Sequence, residues 1–330
     1  MKQIIMDVDP GIDDSLAILL ALRSEKLNVL GITTVSGNVE LHQATKNALK
    51  AVQMSGKRTP VYKGAELPLV KSYVDATDTH GKDGLGETFY QDIILEHENK
   101  HAVDYLIETM NKNPNGVEIV ALGPLTNIAT AIQKDRTFAG NVKGIVLMGG
   151  SARYPGNCSP VAEYNFWVDP HAAQIVFQSG IRITMVGLDV THKIIFTPNL
   201  REIVRQFKTQ ISQYVYDITQ FYVDFHWKQE KTIGCVINDP LAIAYLISPE
   251  IMVTKYGYVE VETVGIAIGQ SVVEFTKHRT NIEVCMEVNT ESFFKVFLHN
   301  LFPENIREID ILLGKEFNRR EVLEKGNYRF

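Results

Sequence analysis

Asp7-Val8-Asp9-Pro10-Gly11-Ile12-Asp13-Asp14 places four carboxylates within eight residues. Carboxylates gathered this closely repel one another, and a positive charge among them relieves the repulsion. Oxygen donors with no Cys or His nearby suit a hard cation, calcium or magnesium. Pro10-Gly11 lets the backbone turn, so that Asp9 and Asp14 can face one point. A solvated, capped helix start explains the same acids without an ion, and at this level both readings stand.

Two later segments add polar groups. In Ile237-Asn238-Asp239-Pro240-Leu241-Ala242 a lone acid opens an apolar stretch, where helix capping is the usual explanation. Gly149-Gly150 follows the run Ile145 to Met148, and Asn157, Glu163 and Asn165 come next. On a loop beyond a sheet, such side chains suit sugar hydroxyls, although loops are polar in any case. Cys158, Cys235 and Cys285 are too widely spaced for a disulfide framework or a thiolate metal site. They read as reduced and mostly packed, and Cys158 as a nucleophile would need a base that the sequence does not indicate.

These groups need elements to hold them. Gln3 to Met6, Val29 to Thr34, Glu118 to Leu122, Gly144 to Met148 and Ile183 to Val186 read as strands, with helical patterns between them. Runs too apolar to have a wet face predict an α/β fold with an open, mostly parallel central sheet flanked by helices. A first helix is expected from about Asp13, with Leu16, Leu19, Leu20 and Arg23 at helical spacing. Asp169-Pro170 reads as a structural helix cap. From Ile211 to Phe225 the pattern predicts a long amphipathic helix, with His226 and Trp227 at its end. Val259 to Val261, Val272 to Phe275 and Ile282 to Val288 read as further strands, before a helix from Glu291. With no clear linker, residues 1–330 are expected to form a single domain.

The 330 residues are 45% hydrophobic and 22% charged, the composition of a soluble globular protein. A net charge of -6 without any basic stripe argues against a nucleic-acid partner. No apolar run is long enough for a signal peptide or a membrane span, so a cytoplasmic location is the default expectation.

Together these segments resemble the inosine/uridine-preferring nucleoside hydrolase family from residue 1 to about residue 300. The Asp-x-Asp-Pro-Gly-x-Asp-Asp start is highly specific. Thr33-Thr34-Val35-Ser36-Gly37-Asn38, His80-Gly81, Leu122-Gly123-Pro124-Leu125-Thr126-Asn127, Val146 to Gly150, Glu163-Tyr164-Asn165 and Asn238-Asp239-Pro240 support it in order. The resemblance implies the nucleoside hydrolase fold with a Rossmann-like core, and cleavage of a ribonucleoside to free base and ribose. It implies calcium held by Asp9, Asp14, Asp239 and the backbone carbonyl of Leu122. Asp9 would take the proton of the metal-bound water and Asn38 would orient that water. Asp13 and Asn165 would bind ribose hydroxyls, and Asn157 and Glu163 the 5′ hydroxyl. Met148, Asn238 and Asp239 complete the implied substrate-binding set, and a homodimer or homotetramer the implied assembly. Cleaving an N-ribosyl bond builds positive charge on the sugar, which a floor of carboxylates stabilises.

One position departs from the pattern. Many members carry a His before the acid equivalent to Asp239, and that imidazole can protonate the departing base; here the residue is Asn238. An amide supplies no proton at neutral pH, which leaves His80 as the best remaining catalytic donor. Tyr222, His226 and Trp227 could also reach the base if their segment folds over the site. Two other readings use the same residues: a nucleoside-binding protein that does not cleave, and a magnesium-dependent phosphatase of haloacid-dehalogenase type built on Asp7-x-Asp9. The second is poorly matched by Gly11 and gives Asp13-Asp14 no role.

Overall fold

The computed structural model describes residues 1–275 and 282–325, with side chains through residue 317. In strand β1 (Lys2–Val8), Ile4, Met6 and Val8 join one apolar cluster and Ile5 joins a second on the opposite face. A strand covered on both sides has no wet face, which is why its sequence lacks polar alternation. The same holds for β4 (Val117–Ala121) and β5 (Gly144–Met148), buried along their whole length.

With β2 (Leu27–Thr34), β3 (Val61–Lys63), β6 (Ile183–Val186), β9 (Met252–Val261), β10 (Ser271–Glu274) and β11 (Ile282–Val288), these form a nine-stranded sheet ordered β10-β9-β11-β6-β5-β4-β1-β2-β3. β3 through β11 run parallel, while β9 and β10 close one edge antiparallel. β7 (Ile195–Phe196) and β8 (Cys235–Val236) make a separate two-stranded ribbon. The open, mostly parallel sheet expected from the apolar runs is present. Its antiparallel edge, the short β3 and the helix Leu41–Ser55 were not marked in the sequence reading.

Chain order runs outward from β1 to β2 and β3 on one side, and through β4, β5 and β6 on the other. That reversal leaves a crevice beyond the carboxyl ends of β1 and β4, the place where open α/β sheets bind ligands. Two helices bring acids to it. Helix Ile12–Arg23 is buried from Ile12 through Leu22 and packs beside helix Asp239–Ile247. Both start with carboxylates at their amino ends, where the helix dipole favours negative charge.

On the opposite face, Asp169 caps helix Pro170–Gln178, as its sequence suggested. Its Oδ1 accepts the Ala172 N–H at 3.1 Å, and its Oδ2 accepts the Thr126 hydroxyl at 2.7 Å and the Leu69 N–H at 2.9 Å. Asp169→Ala would leave these buried donors unpaired. The expected cost is about 3 kcal/mol of unfolding free energy. Chemical denaturation checks this, and an unchanged midpoint would contradict the role given to Asp169.

Candidate active site

Asp9 leaves the end of β1 and lies fully buried in the crevice. Its Oδ2 accepts the Asn38 N–H at 2.8 Å, whereas its Oδ1 is buried with no hydrogen-bond partner. Backbone approaches this carboxylate from both sides: a Cβ on Gly37 or on Gly123 would collide with it. Glycine at those two positions is what lets the β2 and β4 loops close around an acid.

Asp14 ties the turn together. Its Oδ1 accepts the Asp9 N–H at 3.2 Å, and its Oδ2 accepts the Gly11 N–H at 3.1 Å and the Asn38 amide at 3.0 Å. Asp13 points along the crevice, where its Oδ2 accepts the Asn238 backbone N–H and side-chain amide, both at 3.1 Å. Asp7 turns away and supports from below, its Oδ1 accepting the Thr33 hydroxyl and, at 2.8 Å, the Asn127 amide.

Oxygens of Asp13, Asp14 and Asp239 lie within 4.8 Å of one another, all buried. The structure thus brings together two of the three side-chain ligands expected from the resemblance, with Asp13 completing the tight group and Asp9 beside it. The Leu122 carbonyl, at the end of β4, accepts the Asn165 amide at 2.7 Å. Burial lifts the Asp14 carboxyl to about 7, with Asp13 repulsion adding to it. Burial also lifts Asp9 and Asp239 well above the usual carboxylate range, with repulsion from neighbouring acids second. All-oxygen donors, an unpartnered buried carboxylate oxygen and mutual repulsion are what a divalent cation would satisfy, so these residues fit a metal ion.

Above this floor opens a cleft of about 800 Å³. Asp13, Asn38, His80, Leu122, Met148, Asn157, Glu163, Asn165, Asn238 and Asp239 all line it, while Asp9 and Asp14 sit beneath. Among the described residues, no Lys or Arg lines it. Glu163 serves the backbone: it caps helix Tyr164–Val168, its Oε1 accepting the Asn165 N–H at 2.8 Å and its Oε2 the Gly150 N–H at 2.9 Å. Burial raises its carboxyl to about 7. The Asn157 Oδ1 accepts the Tyr164 N–H at 3.0 Å, and the Asn165 amide also reaches the Met148 carbonyl at 3.1 Å.

The far wall is aromatic. His80, Tyr222, Phe225 and His226 line it, whereas Trp227 is 52% exposed and outside the cleft. Sequence reasoning missed the braces around these groups. The Tyr164 hydroxyl donates to the Gly37 carbonyl at 2.7 Å and Tyr73 donates to the same oxygen at 3.0 Å, fixing the loop that carries Asn38. Asp189 gathers the N–H groups of Ala152 at 2.6 Å and Arg153 at 2.8 Å, shaping the loop before Tyr154. Asp189 lies in the first turn of the short helix Leu188–Thr191, whose N-cap is Gly187, and its bonds go to this distant loop.

Raised carboxyl pKa values set a pH dependence for the metal-free protein. A group titrating near 7 when folded and near 3.8 when unfolded, as Asp14 does, holds a proton in the folded state between those values. Its stabilising contribution is complete below about pH 3.8 and is lost as pH rises through 7. Thermal melting with chelator present should therefore fall from pH 5.5 to pH 7.5, and a divalent cation should remove most of that fall. A chelated protein equally stable at both pH values would contradict the placement of these acids.

Residues 4–295 match the family described as inosine-uridine preferring nucleoside hydrolase. The chain is 38% identical to uridine nucleosidase 1 of Arabidopsis thaliana over 282 residues, covering 85% of this chain and 84% of that one. It is 37% identical to the inosine-uridine preferring nucleoside hydrolase of Leishmania major, over 89% of this chain and 95% of that one. Among solved structures, a purine-preferring ribonucleoside hydrolase from Gardnerella vaginalis superposes with a TM-score of 0.88 at 32% identity, covering 92% of this chain and 99% of that one. A plant nucleoside hydrolase superposes with a TM-score of 0.87 at 34% identity, over 91% and 98% of the two chains. The chain therefore belongs to the inosine-uridine preferring nucleoside hydrolase family and is an enzyme that hydrolyses ribonucleosides.

Proposed function

We propose that the reaction is calcium-dependent, that Asp9 is its general base, and that uridine is among its substrates. The observation that carries this reading is the buried carboxylate group at the crevice, with Asp9 Oδ1 unpartnered beside it. Calcium suits a cluster of hard oxygen donors and, when bound, supplies a held, acidified water and a grip on ribose hydroxyls. Asp14, Asp239 and the Leu122 carbonyl would hold it together with Asp9. Because Asn38 fixes Asp9 Oδ2, Oδ1 is the oxygen free to take a proton from water, and burial raises its basicity.

The same carboxylates stabilise positive charge growing on the ribose as the bond to the base breaks. Among the described residues, no Lys or Arg lines the cleft to oppose that charge. Asp13, held by two donors from Asn238, would accept a ribose hydroxyl, and Asn165, which also lines the cleft, would bind another. Asn157 and Glu163, which line the same cleft, would hold the 5′ hydroxyl, and the Asn157 amide nitrogen is left to donate once its Oδ1 serves Tyr164. Uridine is favoured by the uridine nucleosidases among the relatives, and by Asn238, which offers no acid for a purine leaving group.

Ribose release from uridine, cytidine, inosine and adenosine, with calcium and with chelator, tests this reading. Uridine should be cleaved, and only with the metal; activity undiminished by chelation would remove the ion from the mechanism. Asp9→Ala should lower kcat by roughly a thousandfold, since it deletes both a cation contact and the base. A rate within tenfold of the native enzyme would reassign the base. Asn238→His is expected to raise purine nucleoside turnover, and an unchanged purine rate would show that another group already assists departure.

A further inference from the structure

Two buried imidazoles flank the Tyr222 ring at the inner wall of the cleft, His80 at 5.1 Å and His226 at 4.5 Å between ring centroids. Their hydrogens are placed by backbone groups that can play only one role. The Ile12 N–H can only donate and lies 3.1 Å from His80 Nδ1, so the neutral ring carries its hydrogen on Nε2. The Tyr222 carbonyl can only accept and lies 2.8 Å from His226 Nδ1, so this ring carries hydrogen on Nδ1 and keeps a lone pair on Nε2.

Burial holds both rings below the usual imidazole range, outweighing the upward pull of Asp13 on His80 and of the Tyr222 carbonyl and Glu230 on His226. Each is thus neutral near pH 7, in opposite tautomers. Both rings line the cleft, and neither Nε2 has a hydrogen-bond partner among the described residues. Asn238 does not duplicate these roles: its amide nitrogen serves Asp13 and Tyr222, and its Oδ1 is sealed from solvent.

We propose that His226 is a specificity residue whose Nε2 accepts a ring N–H of the nucleobase, while His80 Nε2–H donates to an adjacent carbonyl. The pair then reads a lactam edge, as in uracil with its N3–H beside a carbonyl oxygen. This rests on uridine hydrolysis at this site and adds to it the means by which the base is held.

Comparing kcat/KM for uridine and 3-methyluridine tests the inference, because the methyl group deletes the N–H. The native enzyme should prefer uridine by roughly tenfold or more, the effect of one buried acceptor left unpaired. His226→Phe keeps a ring of similar bulk without the acceptor, and should bring the ratio near one by lowering uridine turnover. His226→Gln restores an acceptor and should recover the preference. Equal turnover of both nucleosides by the native enzyme, which needs no variant to fold, would overturn the role of His226 alone. So would a ratio unchanged in a folded His226→Phe, since the penalty would then be steric. No ribose from uridine at all would instead overturn the uridine assignment and this role with it.

Discussion

Everything about the site follows from holding several carboxylates together out of water. Three acid side chains with oxygens within 4.8 Å of one another repel, pair by pair, by roughly 3 kcal/mol at an effective dielectric of about 20. Burial adds the cost of losing hydration, and both act in the same direction on Asp9, Asp14 and Asp239. The fold answers with fixed positive ends. Helix amino termini, the Asn38 and Gly11 N–H groups and the Asn38 amide all aim at these oxygens. These are partial charges against whole ones, so the arrangement remains short of positive charge until a cation joins it.

The same need explains the choice of crevice. At the reversal of strand order, loops from β1, β2 and β4 converge without a crossing helix between them. Only there can Gly37 and Gly123 press backbone against both sides of Asp9. Asp7, one pleat earlier, is drawn into neutral hydrogen bonds with Thr33 and Asn127 and lies outside the clustered group. A two-residue step along the chain thus separates Asp7, tied to Thr33 and Asn127, from Asp9, held by the Asn38 N–H at the crevice.

What could be read from the sequence follows the range of the interaction that fixes each group. The apolar strands and the acidic turn are local patterns, visible within ten residues, and both are present in the structure. Asp239 is ambiguous in sequence because an acid before Pro reads locally as a helix cap; in the structure it is the first helical residue and makes no such cap, and its place beside Asp13 and Asp14 depends on two helices packing across more than 200 residues of chain. Tyr73, Tyr164 and Asp189 act on loops far from their own segments, and those long-range contacts have no local pattern that would mark them. The long amphipathic helix is present but runs over Gln210–Glu230, past the end expected near Phe225, so His226 lies within it; its tautomer is not legible in sequence, because it depends on a carbonyl one turn back in that helix.

Asn238 shows how one substitution redistributes work across the cleft. A carboxamide presents two hydrogens on one nitrogen, which here meet the Asp13 oxygen and the Tyr222 hydroxyl, at 3.1 Å and 3.5 Å. An imidazole offers a single N–H on each nitrogen and could not make both contacts from one atom. Asn238 is thereby committed to steadying Asp13, the residue proposed to hold the ribose, rather than to the departing base. At the wall proposed to face the base that leaves two imidazoles, whose protonation burial opposes, and a phenol whose ionisation burial opposes. Neutral groups can orient a leaving base and hydrogen-bond its growing negative charge, but they transfer a proton reluctantly. On the proposed reading, more of the barrier would then be lowered on the sugar, by carboxylates that stabilise its positive charge.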